Sequence, residues 1–308
     1  MHTLGGTLEE LLKIYYLAKR KNLPAKGHVI SHYMGGHQSR LRGRGIDFSE
    51  TRNYQPGDDT RLMDWRITAR TGKPHTKVFH EEKQRPTFIV VDQSATMQFG
   101  SVVTFKSILA AQIAAYLAWA GLHHGDRVGG FIYDGHQHYE FRPQNRRNSL
   151  LPFIEKLANV CQPRKINKAS SPMMSLTLQR LQQVAKPGSL IYLISDFYDL
   201  NQQTFCPLQQ ILAHCEIRAL KIYDPLEKDA PPPDNYQVSD GKQEIYWDTN
   251  DRKGCQQFKN QYSEQHQILK NELSNLQIPL ISVATNENWS ERLSRAFYHW
   301  SDQPCLGI

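Results

Sequence analysis

No two cysteines of this chain form a Cys-x-x-Cys pair; the five present, Cys161, Cys206, Cys215, Cys255 and Cys305, are scattered. Scattered cysteines suggest neither a zinc ribbon nor a disulfide framework and read as reduced packing residues. Long hydrophobic runs are missing too. The longest apolar stretch, Ile108 to Leu122, contains Gln112 and falls short of the roughly 20 residues that a membrane span needs. The N-terminus lacks the positively charged start and apolar core of a signal peptide. A soluble, cytoplasmic protein is the expectation. There is no Gly-x-x-x-x-Gly-Lys-Ser/Thr phosphate loop, so any ATP hydrolysis belongs to a partner. No Gly-x-Ser-x-Gly elbow frames Ser94 or Ser195, and no histidine can be assigned to either as a base, which argues against a serine hydrolase.

What is present is enough for a sizeable core. With 308 residues, 39% hydrophobic and 22% charged, the chain reads as one large globular domain plus an extension. The charge is segregated. Residues 1 to 85 hold 16 Lys and Arg against 9 Asp and Glu, a net of +7, whereas residues 86 to 308 hold 21 of each. The excess is either a solvated basic face or a docking surface for an acidic partner, nucleic acid or lipid headgroups.

Three segments follow from the patterning. Residues 1–25 carry an amphipathic helix, with Leu8, Leu11, Leu12, Tyr15, Tyr16 and Ala18 at helical spacing. Residues 26–86 form a basic extension with a Gly- and Arg-rich loop over 35–45, followed by short extended pieces around Ile46–Ser49, Arg61–Arg66 and Thr76–Glu81. Those glycines follow no strand and open no helix, so they are not a nucleotide fingerprint. From residue 87 to 308 strands and helices alternate, with a proline-punctuated insertion near 224–250 that carries a small hairpin. The expected fold is a doubly wound α/β domain: a mainly parallel sheet with helices on both faces, plus an N-terminal extended, β-rich segment.

Two acids stand at strand tips. Val90-Val91 runs into Asp92-Gln93-Ser94-Ala95-Thr96, and Leu190–Ser195, a second apolar run, is followed directly by Asp196. In parallel sheets ligands bind beyond the carboxyl ends of the strands, near the point where strand order reverses. One or two carboxylates with hydroxyls suit Mg²⁺, or another hard divalent cation, whereas zinc prefers sulfur and imidazole. The alternative is that Asp92 and Asp196 only cap the helices that follow them. His136 and His138, at alternate positions of an expected strand, lack a third ligand and read as surface residues.

The Asp-x-Ser-x-Thr loop, with an acid about a hundred residues on after a buried strand, resembles the metal-ion-dependent adhesion site (MIDAS) of von Willebrand factor A domains. The stretch Gly45–Arg70, with Tyr54-Gln55-Pro56-Gly57-Asp58-Asp59 and Arg61-Leu62-Met63-Asp64-Trp65-Arg66, is similar to the signature of a bacterial family called domain of unknown function 58. The resemblance implies a von Willebrand factor A-like fold and a metal held by Asp92, Ser94, Thr96 and Asp196. The adhesion site's usual middle-loop threonine has no clear match. Ser170 or Ser171 stands in that region, and Ser171 is the candidate. The resemblance further implies a non-enzymatic interaction module acting with a MoxR-type AAA+ ATPase, or a client protein presenting an acidic residue, in protein remodelling or maturation. Many members carry an N-terminal membrane hairpin that this chain lacks. In the signature, Arg52, Tyr54, Arg61, Trp65, Arg66 and Arg70 are either an internal salt-bridge network or a partner surface with aromatic anchors. Binding of nucleic acid or anionic surfaces through the basic segment, and a metal-dependent hydrolase, are the alternative functions.

Overall fold

The computed structural model describes residues 5–20, 47–56, 58–80, 85–163, 173–200, 202–239 and 244–302. The candidate Ser171 and the Gly- and Arg-rich stretch 35–45 lie outside them. In chain order the elements are α1 (Leu8–Arg20), β1 (Asp47–Asn53), α2 (Trp65–Thr71), β2 (His75–His80), β3 (Pro86–Asp92), α3 (Lys106–His123), β4 (Arg127–Tyr133), β5 (His138–Gln144), α4 (Arg147–Val160), α5 (Met173–Val184), β6 (Leu190–Ser195), α6 (Gln202–Leu212), β7 (Glu216–Tyr223), α7 (Pro225–Lys228), β8 (Asn235–Ser239), β9 (Glu244–Asp248), α8 (Arg252–Asn275), β10 (Leu280–Ala284) and α9 (Trp289–Asp302).

The chain divides into two compact units, Met1–Ile30 with Arg85–Ile308, and Ser31–Gln84. The larger is an α/β unit whose six-stranded sheet has the order β10-β7-β6-β3-β4-β5. All neighbours pair in parallel except β4 and β5, which form the expected hairpin. The chain starts at β3, runs outward through β4 and β5, then returns to β3's other side with β6. Strand order therefore reverses between β3 and β6, where Asp92 ends β3 and Asp196 directly follows β6. Alternation sorts the side chains onto two faces. Ile89, Val91, Tyr192, Ile194 and Leu220 share a core with α1, α3, α4 and α9. Phe88, Val90, Ile191, Leu193 and Ala219 share the other with α5, α6 and α8.

Helix α3 explains why α1 belongs to this unit. Its sequence is apolar all round, so it needs cover on every side. Ile108 to Ala120 is buried apart from Gln112, which is half-buried. α1 supplies part of that cover: Leu11 is fully buried, its carbonyl accepts a hydrogen bond from Trp119 Nε1 at 3.2 Å, and Tyr15 meets the Trp119 ring edge-on at 5.4 Å.

In the smaller unit β1 and β2 pair antiparallel. Between them the expected extended piece at Arg61–Arg66 is instead helical: a 3₁₀ turn at Thr60–Leu62, then α2. The caps decide this. Asp59 accepts from Arg61 N–H, Asp64 accepts from Arg66 and Ile67 N–H, and Gly72 closes α2 at φ 69°, a left-handed angle that suits glycine. His136 also departs from expectation: β5 begins at His138, and the His136 N–H donates to Asp134 Oδ1 within the turn.

Leu11→Ala is expected to destabilise the whole larger unit by about 2–5 kcal/mol. A denaturant midpoint that falls with unchanged slope checks this; an unchanged midpoint would show that α1 is an appendage.

Candidate metal centre at the sheet switch point

Asp92 is the last residue of β3, and its neighbours across the ladder place it. Val91 pairs with Ile194, so the following residues, Asp92 and Ser195, stand side by side. Ser195 Oγ donates to Asp92 Oδ2 at 2.6 Å, and the Ser94 N–H donates to Asp92 Oδ1 at 2.8 Å. Ser94 Oγ and Thr96 Oγ1 lie 3.2 Å apart at the start of a 3₁₀ turn, Ala95–Met97. The carboxylate and the two hydroxyls of the Asp-x-Ser-x-Thr loop therefore share one strand tip.

The electrostatics of Asp92 are unusual. Its side chain is buried, and among the described residues it has no ion-pair partner. Burial first, and the charge of Asp196 second, push its pKa from 3.8 up to about 6, against the hydrogen bonds from Ser195 and Ser94. The buried Tyr133 phenol, at the end of β4, is raised well above its ordinary value by burial and by the Asp92 charge. A cation beside such a pair would offset both the burial of Asp92 and its repulsion from Asp196.

Asp196 is the neighbour that already has a cation. Lys106, the first residue of α3, is 1% exposed, and its Nζ lies 2.8 Å from Asp196 Oδ2 and 2.5 Å from Glu227 Oε1. Burial opposes the ammonium form, but the two carboxylates outweigh it and hold Lys106 above the usual lysine value. Asp196 Oδ1 accepts from the Tyr198 N–H at 3.0 Å. Asp196 thus organises the turn that follows it, but it caps no helix, because α6 begins only at Gln202. Phe197 between them adopts φ 60°, a left-handed angle costly for an aromatic residue, and its buried ring anchors the turn in the core.

A second clamp fixes the loop that leads into α3. Asp224, at the end of β7, is fully buried and accepts from the Ser101 N–H at 2.9 Å, Ser101 Oγ, Thr285 Oγ1 and the Leu226 N–H. Asp224 and Glu227 also form a capping box on α7. Glu227, which meets Lys106, is thereby held in place.

Of the residues expected at the metal, Asp92, Ser94 and Thr96 come together, and Asp196 is adjacent but engaged. The donors are all oxygens, which fits a hard cation such as Mg²⁺. Among the described residues no group of three or more His, Cys, Asp or Glu gathers, so a cation here depends on the hydroxyls and on water. Ser195, Tyr133, Lys106 and Glu227 were not foreseen. Only Lys106 left a signal in the sequence: α3 has no other Lys, Arg, Asp or Glu.

The signature residues lie in the smaller unit and split by role. Arg52 pairs with Asp58 at 2.7 Å, as an internal network requires. Arg61, Trp65, Arg66 and Arg70 are exposed and Tyr54 is half-buried. Three of the signature's acids are thus occupied by a pair or by caps, and the arginines on and before α2 face solvent.

Among the described residues no helix is long and apolar enough to cross a membrane. An uncharacterised protein of Mycobacterium tuberculosis is 29% identical over 198 residues, covering 64% of this chain, and the chain spans 61% of that relative's length. YeaD of Bacillus subtilis, also uncharacterised, is 31% identical over 94 residues, 30% of this chain and 24% of its own. Among solved structures, the conserved hypothetical protein BatB from Bacteroides thetaiotaomicron matches with a TM-score of 0.44 at 14% identity, covering 71% of this chain and 100% of that one. An aerotolerance-related membrane protein from Bacteroides fragilis matches with a TM-score of 0.41 at 12% identity, covering 71% and 98%. One family profile, described as protein of unknown function DUF58, matches residues 50–268. That match takes in the signature from residue 50 onward, both strand-tip acids and Lys106, and the chain belongs to this family.

Proposed function

We propose that the protein is a non-enzymatic interaction module whose strand-tip site takes a divalent cation, Mg²⁺ in the first place, and presents it to an acidic side chain of another protein. The observation that carries this reading is the Asp92 carboxylate, buried among hydroxyls beside a second acid and, among the described residues, without a counter-ion. Asp92, Ser94 and Thr96 would hold the ion from one loop, with Asp196 contributing through its shared oxygen or a water and Ser171 as a further candidate hydroxyl. Mg²⁺ keeps several waters when so few protein ligands reach it, and one of those positions is open to a partner's carboxylate. The sequence resemblance supplies the partner class: a MoxR-type AAA+ ATPase, which would bring the ATP hydrolysis this chain has no phosphate loop to perform, or its client in remodelling or maturation. The exposed Arg61, Trp65, Arg66 and Arg70 offer a second contact surface for that partner. A catalytic reading has less support, since Ser195 Oγ is committed to Asp92 and accepts from the Phe197 N–H at 2.9 Å.

Titration calorimetry with Mg²⁺ tests the ion. Wild type is expected to bind and Asp92→Ala to show no binding heat; equal binding by the two would remove the metal from the account.

The buried charge makes a second prediction, for the metal-free protein in chelator. The folded pKa of Asp92, about 6, lies above the ordinary 3.8, so between those values the folded state holds a proton that the unfolded state has released. The group's contribution to stability is therefore favourable below that window and is lost as pH rises through about 6. Asp92→Asn, which carries no charge at any pH, is expected to melt above wild type at pH near 7.5, with the gap closing towards pH 5. Melting curves whose separation is the same at both pH values would contradict this.

A further inference from the structure

Lys106 places a buried ammonium against Asp196, the second acid of the candidate site. Its Nζ lies 2.8 Å from Asp196 Oδ2, the same carboxylate whose charge acts on Asp92, and the residue is 1% exposed. The other oxygen of Asp196 accepts from the Tyr198 N–H, so neither oxygen is idle. Lys106 also has a second acceptor. Glu227 Oε1 lies 2.5 Å from the ammonium, while Glu227 Oε2 accepts from the Asp224 N–H at 2.9 Å and so keeps its position whatever Lys106 does.

These contacts, seen in one arrangement, would also allow a second. In one the ammonium bridges Asp196 and Glu227, and the acids of the crevice are partly neutralised from within. In the other a divalent ion draws Asp196 toward itself, and Lys106 falls back on Glu227 without becoming an unpaired buried charge, the outcome that is most costly in a protein interior. We propose that Lys106 is a tethered competitor of the divalent cation: by holding Asp196 it sets the affinity of the site for metal and keeps the crevice folded when no metal is bound. This rests on the metal reading of the site, and it adds the element that regulates it.

Position in the chain supports a dedicated role. α3 is otherwise without charge, and Lys106 opens it directly after the loop that Asp224 clamps through Ser101. A lysine at the start of a helix also works against the helix dipole, which favours negative groups there. The two carboxylates it meets offset that cost.

The test compares Mg²⁺ binding by full-length wild type, Lys106→Met and Lys106→Gln, using calorimetry together with melting temperature in chelator and in Mg²⁺. Lys106→Gln retains a donor for Asp196 and guards against a folding failure of Lys106→Met. Lys221→Met is the control for through-space repulsion. Lys221 is a nearby buried lysine that is hydrogen-bonded to His266 Nδ1 at 3.4 Å and makes no ion pair with Asp196. Removal of the Lys106 charge is expected to tighten Mg²⁺ binding by on the order of tenfold or more. It should also lower the melting temperature in chelator and widen the gap between chelator and Mg²⁺, while Lys221→Met changes affinity far less. Affinity that is unchanged or weaker in both Lys106 variants, or raised equally by Lys221→Met, overturns the proposal and leaves the metal reading standing. If wild type binds no Mg²⁺ but a Lys106 variant does, the ammonium is itself the resident cation, and the reading of a metal-loaded wild type fails instead. Absence of binding in all of them overturns both.

Discussion

Two carboxylates at adjacent strand tips, only one of them matched by a protein cation, set the terms for everything around the switch point of the sheet. Asp196 has Lys106; among the described residues Asp92 has hydrogen bonds and no cation. Parallel strands bring their carboxyl ends to one edge, and the reversal of strand order between β3 and β6 leaves that edge uncovered by a crossover at this point. The fold therefore delivers both acids to one edge of the sheet whatever their later use. The surrounding devices limit the cost of that placement: Ser195 and Ser94 as donors, Lys106 as counter-charge, Asp224 as the clamp that fixes the approach to α3.

Burial makes the difference between the two acids consequential. On a protein surface two carboxylates a few ångströms apart are screened by water and salt. Here Asp92 and Lys106 are both nearly solvent-free, so each uncompensated charge weighs more. A divalent ion and an ammonium are chemically different solutions to the same excess of negative charge. The structure contains one of them as a side chain, and the divalent ion at Asp92, Ser94 and Thr96 is the proposal.

Much of the fold was legible from pattern. Apolar runs of strand length separated by amphipathic segments marked β3, β6, β7 and their helices, and the Asp134-Gly135 turn marked the β4–β5 hairpin. Elements too short to show a period were harder to read. α2 spans only Trp65–Thr71, so its caps, Asp64 and Gly72, were the signal rather than its hydrophobic spacing. The site divides in the same way. Asp92, Ser94 and Thr96 are local in sequence and were recognisable as a set. Ser195 as a donor to Asp92 depends on the register of β3 against β6, and Glu227 as a partner of Lys106 depends on a four-residue helix after β7. Neither relation is written in any short stretch of chain. The charge of residues 1 to 85 was visible from counting, but how it divides could be seen only with the caps in view: Asp58, Asp59 and Asp64 are used internally, which leaves Arg61, Arg66 and Arg70 exposed.

The most direct measurement is anomalous diffraction from crystals of the full chain grown with Mn²⁺, an oxygen-seeking ion that can stand in for Mg²⁺ and whose position is visible by its scattering. The account predicts one strong peak at the switch point, at coordination distance of about 2.0–2.3 Å from oxygens of the Asp92, Ser94 and Thr96 set. A crystal with no peak there, or with the ion bound only at exposed acids elsewhere, would contradict it.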